Sequence, residues 1–132
     1  RYIAIFFEHE KQVLIQFNNP DHLQIISDEI FLQIIMQNLT SNAIKSLKNT
    51  DQALICWNAN QTEDGIMIQI TDNGPGMDEN KLNEILVSNQ TLSQKSGLGL
   101  QIVNDLAKAI NCKLHFKTAL NKGFSVTIII NK

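Results

Sequence analysis

The sequence is poor in several residue types, and each shortage excludes or disfavours a class of protein or of binding site. Its only arginine is Arg1, so lysines, backbone N–H groups or a metal must meet any anion that it binds. The two cysteines, Cys56 and Cys112, have no paired-Cys or Cys/His spacing, which predicts free thiols in a reducing cytosol and disfavours a zinc site. No apolar run approaches the roughly 18–20 residues that span a bilayer, and the N-terminus does not have the pattern of a signal peptide.

What remains is the composition of a folded domain. Of the 132 residues, 43% are hydrophobic and 18% are charged, which provides enough apolar surface for one core. The 11 basic and 13 acidic side chains give a net charge of −2, which is not the excess of positive charge expected of a protein that binds nucleic acid or anionic lipid. We therefore expect a single cytoplasmic domain over residues 1–132 that binds no nucleic acid and makes no direct membrane contact.

Hydrophobic periodicity predicts the order of the secondary-structure elements. Ile3, Phe6 and Phe7 have helical spacing, which predicts that residues 1–10 are the tail of an upstream linker helix. Strands are predicted over residues 13–17, 24–26, 53–60, 66–70, 113–118 and 124–130, and helices over 28–47, 78–86 and 97–110. This order favours an α/β fold with a mixed, mostly antiparallel sheet and helices packed on one face.

The long predicted helix carries the first candidate site, formed by Asn38, Asn42 and Lys45. Offsets of four and three residues place these side chains on one face. The buried stripe of the same helix is predicted to be Ile30, Ile34, Ile35, Leu39, Ala43, Ile44 and Leu47. Amide oxygens suit Mg²⁺, which takes one or two protein oxygens together with phosphates and waters. Alternatively, the amides only hydrogen-bond a neighbouring loop, since amides near a core need partners.

The second candidate site is the turn over residues 72–76, which follows a predicted strand. Gly74 and Gly76 allow positive φ angles and a close approach of a ligand to the backbone. The Asp72 carboxylate could accept a hydrogen bond from the exocyclic amine of adenine, and it would repel the carbonyl of guanine. The alternative is an ordinary tight turn with an aspartate as its first residue.

The third candidate site is the glycine-containing start of the last helix, over residues 97–100. Backbone N–H groups at a helix start suit a phosphate, and the glycines let it come close. Helix capping by glycine is the alternative. The preceding residues 77–96 show little patterning, and connections of this length are often lids. We therefore predict a flap over a phosphate site, carrying Lys95.

Taken in order, these motifs resemble those of the ATP-binding catalytic domain of sensor histidine kinases, in the gyrase, Hsp90, histidine kinase and MutL superfamily. Residues 38–45 resemble the family's N box, residues 72–77 its first glycine box and residues 97–100 its second. The resemblance covers about residues 13–130. It implies a two-layer α/β sandwich with a flexible ATP lid, and it implies ATP and Mg²⁺ as ligands.

The resemblance also implies a role for individual residues. Asn42 would bind Mg²⁺, and Asp72 would hold the adenine amine. Asn38 and Lys45 would contact the phosphates and serve the transfer. The other nucleotide contacts that we assign are Gly74, Gly76, Met77, Lys95, Gly97, Leu98, Gly99, Leu100 and Thr127. Thr127 matches a hydroxyl position near the aspartate.

Asn38 distinguishes between branches of the superfamily. Members that hydrolyse ATP or phosphorylate serine place a glutamate at this position, where it can act as a general base. An amide cannot remove a proton, but a neutral imidazole acceptor is already a nucleophile. We therefore expect transfer of the γ-phosphoryl group of ATP to a histidine on a separate dimerisation domain, with a response regulator receiver domain as a further partner. The alternatives are a nucleotide-binding regulatory module without phosphotransfer, or an ATP-hydrolysing enzyme.

Two departures from the family pattern bear on affinity. No phenylalanine occurs over residues 82–92, before the lid, and Ser46 stands where many members carry an aromatic against adenine. We therefore expect weaker lid docking and a lower affinity for the nucleotide. The histidines, His9, His22 and His115, are expected not to be phosphoacceptors.

Overall fold

A computed structural model describes residues 2–8, 11–19, 22–25, 27–87 and 98–131 of the protein. The described residues form six strands and three helices. The strands are β1 (Tyr2–Glu8), β2 (Lys11–Asn18), β3 (Leu54–Thr62), β4 (Gly65–Asp72), β5 (Cys112–Thr118) and β6 (Phe124–Asn131). The helices are α1 (Glu29–Ser46), α2 (Glu79–Val87) and α3 (Leu98–Ala109).

The strands form one mixed sheet in the order β1-β2-β3-β4-β6-β5. Strands β2 and β3 are parallel, and the other neighbouring pairs among the described strands are antiparallel. Parallel neighbours need a crossover connection, which α1 provides between β2 and β3. The predicted α/β class, with its mostly antiparallel sheet, is confirmed.

The core lies between one face of the sheet and the helices. Along β4, Ile68 and Ile70 are buried, while Gln69 and Thr71, which alternate with them, point to the other face. Helix α1 packs against α3 and contributes four buried side chains, Leu32, Ile35, Leu39 and Ala43. Among the described residues, no helix is both long enough and apolar enough to cross a bilayer.

Helix α1 begins where its sequence predicts. The Asp28 side chain accepts the N–H of Phe31 at 2.9 Å, and Glu29 adds negative charge to the first turn. Ile30, which we assigned to the buried stripe, is 67% exposed instead. It lies five residues from Ile35, about 140° around the helix, so it faces away from the core.

The prediction of a helix over residues 1–10 is wrong for residues 2–8, which form strand β1. This strand pairs antiparallel with β2, with Glu8 opposite Lys11. The segment is a short, nearly continuous apolar run of β-branched and aromatic residues, which periodicity alone cannot assign to helix or strand. Pairing with the neighbouring strand decides the conformation.

The strand predicted over residues 24–26 is also wrong for its described part, because residues 22–25 are not in a strand. The Asn19 side chain accepts the N–H of Leu23 at 2.9 Å and donates to its carbonyl oxygen at 3.1 Å. His22 has a φ of 50°. Asparagine side chains commonly bond nearby backbone in this way, and these two bonds link Asn19 to Leu23. Ile26 lies outside the described residues.

Candidate functional site

The loop after β4 passes directly against the last turn of α1. A Cβ atom added to Gly74 would lie 3.0 Å from Asp72 Oδ1, 3.1 Å from Leu47 Cδ2 and 3.5 Å from Ser46 Oγ. Asn42 lies one turn before Ser46, on the same side of α1. The fold therefore brings the first glycine box next to the end of the helix that carries the N box.

Asp72 is half-buried at the end of β4. Its Oδ1 accepts the N–H of Gly74 at 2.9 Å. Burial raises the pKa of this carboxyl, and hydrogen bonds from the backbone of Gly74 and Phe124 lower it in part. The carboxylate is only partly satisfied by these bonds, so a ligand that offers an N–H donor at this position would stabilise its charge.

Asn73 fixes the start of the loop and was not singled out from the sequence. Its backbone N–H donates to the carbonyl of Leu54 at 3.2 Å, and its Oδ1 accepts the N–H of Leu54 at 2.8 Å. Its Nδ2 donates to the carbonyl of Gln52 at 3.0 Å. The side chain thus ties the loop to the entry of β3 through residues that lie 19 and 21 positions away along the chain, a contact that no local signal in the sequence predicts.

Gly76 is needed because of its neighbours in the protein. Its φ is +65°, and a Cβ atom there would lie 2.7 Å from the carbonyl oxygen of Gly123 and closer still to that of Ala119. The N–H of Asn121 donates to the carbonyl of Pro75 at 2.6 Å. We predicted glycine here to admit a ligand, whereas the close approach that the structure contains is that of the β5–β6 turn.

The two amides of the N box are half-buried on α1. The Asn38 Nδ2 donates to the carbonyl of Ile34 at 2.9 Å, within the same helix. This bond matches neither sequence interpretation fully, since it uses no loop and leaves the amide oxygen as the accepting atom. Asn38 can therefore present an acceptor from a fixed position, and it cannot act as a base.

By helical spacing, Lys45 lies on the same face of α1 as the two amides, about 20° around the axis from Asn38. It is exposed and lines a groove of about 350 Å³ beside α1. The groove is lined by Phe17, Met36, Gln37, Thr40, Ser41, Ile44, Lys45 and Trp57. The Trp57 indole donates to Thr40 Oγ1 at 3.1 Å, which fixes one wall. The structure thus places Lys45 at this groove, while Gly74 packs against Ser46 and Leu47 at the end of the same helix.

Thr127 does not lie beside Asp72, so that expectation is wrong. Thr127 pairs with Gln69, whose Nε2 donates to Thr127 Oγ1 at 3.1 Å. Asp72 pairs with Phe124 instead. Residues 124 and 127 are an odd number of positions apart, so their side chains point to opposite faces of the sheet. Thr127 belongs to the face away from the helices.

The second glycine box opens α3, as its sequence predicts. The helix begins at Leu98, which places Gly99 and Leu100 in its first turn. Leu100 is buried in the core, and Gln101 Nε2 donates to the carbonyl of Ile85 in α2 at 3.3 Å. Lys95, Gly97 and His9 lie outside the described residues. That this helix start contacts phosphate remains a prediction.

The fold and the arranged motifs define the class of this protein. Residues 27–132 match the family described as "Histidine kinase-, DNA gyrase B-, and HSP90-like ATPase". The chain belongs to this family. The resemblance inferred from the three motifs is thereby confirmed.

Curated relatives narrow the similarity to sensor kinases. The chain is 29% identical over 122 residues to the sensor histidine kinase YvrG of Bacillus subtilis, covering 87% of this chain and 20% of that protein. It is 33% identical over 138 residues to LuxQ of Vibrio vulnificus, an autoinducer 2 sensor kinase/phosphatase, covering 93% of this chain and 16% of that protein. The chain thus spans a fifth or less of these two relatives.

Solved structures share the fold. The catalytic domain of histidine kinase ThkA matches with a TM-score of 0.70 and 21% identity, over 89% of this chain and 76% of that one. The mycobacterial sensor histidine kinase MprB matches with a TM-score of 0.67 and 24% identity, over 89% and 81% of the two chains. The expected architecture of a histidine kinase catalytic domain is therefore confirmed.

Proposed function

We propose that this chain is the ATP-binding catalytic domain of a two-component sensor kinase, which transfers the γ-phosphoryl group of ATP to a histidine on a separate dimerisation domain. The observation that carries the proposal is the packing of the 72–76 loop against the last turn of α1, in a chain of this ATPase family. A response regulator receiver domain is the further partner that the proposal implies.

Asp72 would recognise the adenine base. Its Oδ1 already accepts the N–H of Gly74, and the carboxylate retains acceptor capacity for the exocyclic amine of adenine. The carbonyl of guanine at the same position would face a negative charge. We expect Asp72→Asn to weaken ATP binding by at least about 1–3 kcal/mol, because the adenine amine would lose its charged acceptor. Calorimetry that gives an unchanged affinity would remove Asp72 from the adenine site.

The phosphate end would be built from α1, α3 and the lid. The described residues contain no group of three or more His, Cys, Asp or Glu that could hold a metal. The amide oxygen of Asn42 is a hard ligand, and Mg²⁺ accepts such an oxygen together with phosphate oxygens and waters. When bound, Mg²⁺ would neutralise charge on the triphosphate.

The remaining phosphate contacts are assigned by position in the motifs. Lys45 and Lys95 would supply positive charge. The residues around the start of α3, Gly97, Leu98, Gly99 and Leu100, would supply backbone N–H groups and the positive end of the helix dipole. Lys45 is exposed, and its long side chain would have to turn toward the triphosphate.

Asn38 supports transfer to histidine over hydrolysis. In the transfer, a bond forms between the γ-phosphorus and the unprotonated nitrogen of the neutral imidazole, and the bond to the ADP oxygen breaks. The imidazolium so formed can then lose the proton on its other nitrogen to solvent. The nucleophile needs no base, so an amide that only positions the phosphate is sufficient. Water would need a base, which the Asn38 amide cannot provide.

A regulatory module that binds nucleotide without transferring phosphate is the second candidate. Ser46 stands where an aromatic would stack on adenine, and its Oγ donates to the carbonyl of Ala43 at 2.8 Å. The hydroxyl is thus folded back on its own helix, which supports a lower nucleotide affinity. ATP binding without transfer would favour this candidate.

The test mixes this domain with the histidine-bearing helical domain of the same protein and γ-labelled ATP. We expect label on the helical domain and almost no free phosphate. An unlabelled helical domain, together with measurable ATP binding, would replace the kinase by the regulatory module. Steady phosphate release without acceptor would indicate hydrolysis, and Asn38→Glu is expected to raise that release from its low basal rate.

A further inference from the structure

Thr118, the last residue of β5, joins two segments of the chain through one hydroxyl group. Its Oγ1 accepts the backbone N–H of Met77 at 3.0 Å. The same hydroxyl donates to the carbonyl of Gly123 at 2.8 Å. It therefore uses both its acceptor and its donor, one toward the first glycine box and one toward its own hairpin turn.

The β5–β6 turn, residues 119–123, packs against the backbone of the first glycine box. Pro75 accepts the N–H of Asn121 at 2.6 Å, and Gly76 packs against the carbonyl oxygen of Ala119. Gly123, with φ +77°, lies so close to the Asp72 carbonyl that a Cβ atom would overlap that oxygen. Residues 72–77 therefore rest along the turn, and Thr118 is the side chain that fastens their far end.

We propose that Thr118 is a positioning residue for adenine recognition: through the Met77 N–H it holds residues 75–77, and with them Asp72, in the conformation that receives the base. This proposal rests on the proposed function. A loop held in its binding conformation before the ligand arrives loses less conformational freedom on binding. Removing the hydroxyl should therefore weaken nucleotide binding although both of its hydrogen bonds are to the protein backbone.

Thr62 offers a matched control at the opposite end of β4. It is a half-buried threonine at the end of β3, and its Oγ1 donates to the carbonyl of Gly65, in its own hairpin turn, at 3.1 Å. Gly65 and Asp72 begin and end β4, about 24 Å apart at the usual rise per residue. Thr62→Val thus removes the same kind of hairpin bond without the link to Met77.

The experiment compares Thr118→Val, Thr118→Ser and Thr62→Val with the unaltered domain. Calorimetry measures the affinity for ATP. Hydrogen exchange without nucleotide measures protection of the Met77 amide, and thermal unfolding checks that each variant is folded. We expect Thr118→Val to weaken ATP binding about fivefold to tenfold and to speed Met77 exchange, the effect of one lost hydrogen bond. Thr118→Ser should restore both, and Thr62→Val should keep the affinity while losing stability.

The outcomes separate this proposal from the proposed function. An unaltered domain that binds no ATP overturns the proposed function, whereas the Met77 exchange still tests the Thr118 bond. Three results would each overturn the positioning role. They are an unchanged ATP affinity in Thr118→Val, an equal loss of ATP affinity in Thr62→Val, and a Met77 amide that is unprotected in the unaltered domain. If Thr118→Val does not fold, Thr118→Cys takes its place, since sulfur keeps the volume and is a weaker acceptor.

Discussion

Among single residues, Asp72 combines a cost to folding with a proposed role in nucleotide binding. Burial raises the pKa of its carboxyl above the ordinary value of 3.8, and two backbone hydrogen bonds offset part of the rise. The folded state therefore holds the proton more tightly than the unfolded state does. Between the unfolded pKa and the raised folded pKa, the unfolded state binds fewer protons, so stability falls as pH rises.

Asp72→Asn should remove this contribution to the pH dependence. The amide oxygen can still accept the Gly74 N–H, so the fold is retained while the titrating group is gone. We expect the variant to lose less stability than the unaltered domain as pH rises from about 4 to 7, measured by urea unfolding at each pH. Asp64→Asn, at an exposed position in the β3–β4 hairpin, is the control. Parallel stability profiles for the Asp72 variant and the unaltered domain would contradict the effect of burial.

Asn42 is the residue to test for the metal. Asn42→Ala should leave nucleotide binding without Mg²⁺ unchanged and abolish its enhancement by Mg²⁺, because the amide oxygen is the proposed protein ligand. Calorimetry with and without Mg²⁺ measures both. Ser41→Ala, the exposed preceding position on α1, serves as the control. Equal enhancement by Mg²⁺ in the Asn42 variant and the unaltered domain would rule out the metal assignment.

Among the elements, local signals were sufficient where one segment determines its own structure. Helix α1 starts at its Asp28 cap, and the hairpins β3–β4 and β5–β6 form around the glycine turns that the sequence contains. Strand β1 could not be predicted, because its short apolar run takes its conformation from pairing with β2. The single-domain organisation of residues 1–132 stays a prediction.

The sequence was sufficient to predict the motifs of the candidate site, but not the residues that hold those motifs in place. The motif residues Asp72 and Gly74 were expected at one site with α1, and the loop does pack against that helix. Asn73 and Thr118 were missed because their partners come from distant segments that only the folded sheet brings near. Thr127 was misplaced because motif matching does not track which face of a strand a side chain takes.

The contact between the 72–77 loop and the β5–β6 turn makes a prediction about two neighbouring glycines. Gly76→Ala should destabilise the domain by about 2 kcal/mol or more, because a left-handed conformation and a backbone overlap both oppose a Cβ atom there. Gly74→Ala is the control, since its φ is not in the left-handed region and its nearest neighbours, at 3.0 and 3.1 Å, are side-chain rather than backbone atoms. Urea unfolding measures both, and equal losses would contradict the assigned contact.

Across the whole molecule, charge is divided along the chain. Residues 106–132 contain five lysines and no acidic residue, so all 13 acidic residues lie before them. In the fold, Lys113, His115 and Lys117 alternate along β5 as exposed residues, and β5 is an edge of the sheet. Lysines on an edge strand oppose pairing with another sheet edge. A domain of net charge −2 thus has one locally basic face.

This local basic face should govern how the domain behaves on a charged resin. In about 0.1 M salt we expect the domain to be retained by a cation exchanger near neutral pH despite its net negative charge, because the nearest surface charges dominate within a Debye length of about 10 Å. The double variant Lys113→Gln/Lys117→Gln should elute at clearly lower salt. The matched control, Lys45→Gln/Lys81→Gln, removes the same charge from exposed positions on α1 and α2. If both double variants elute together, net charge alone sets retention, and the basic face has no separate effect.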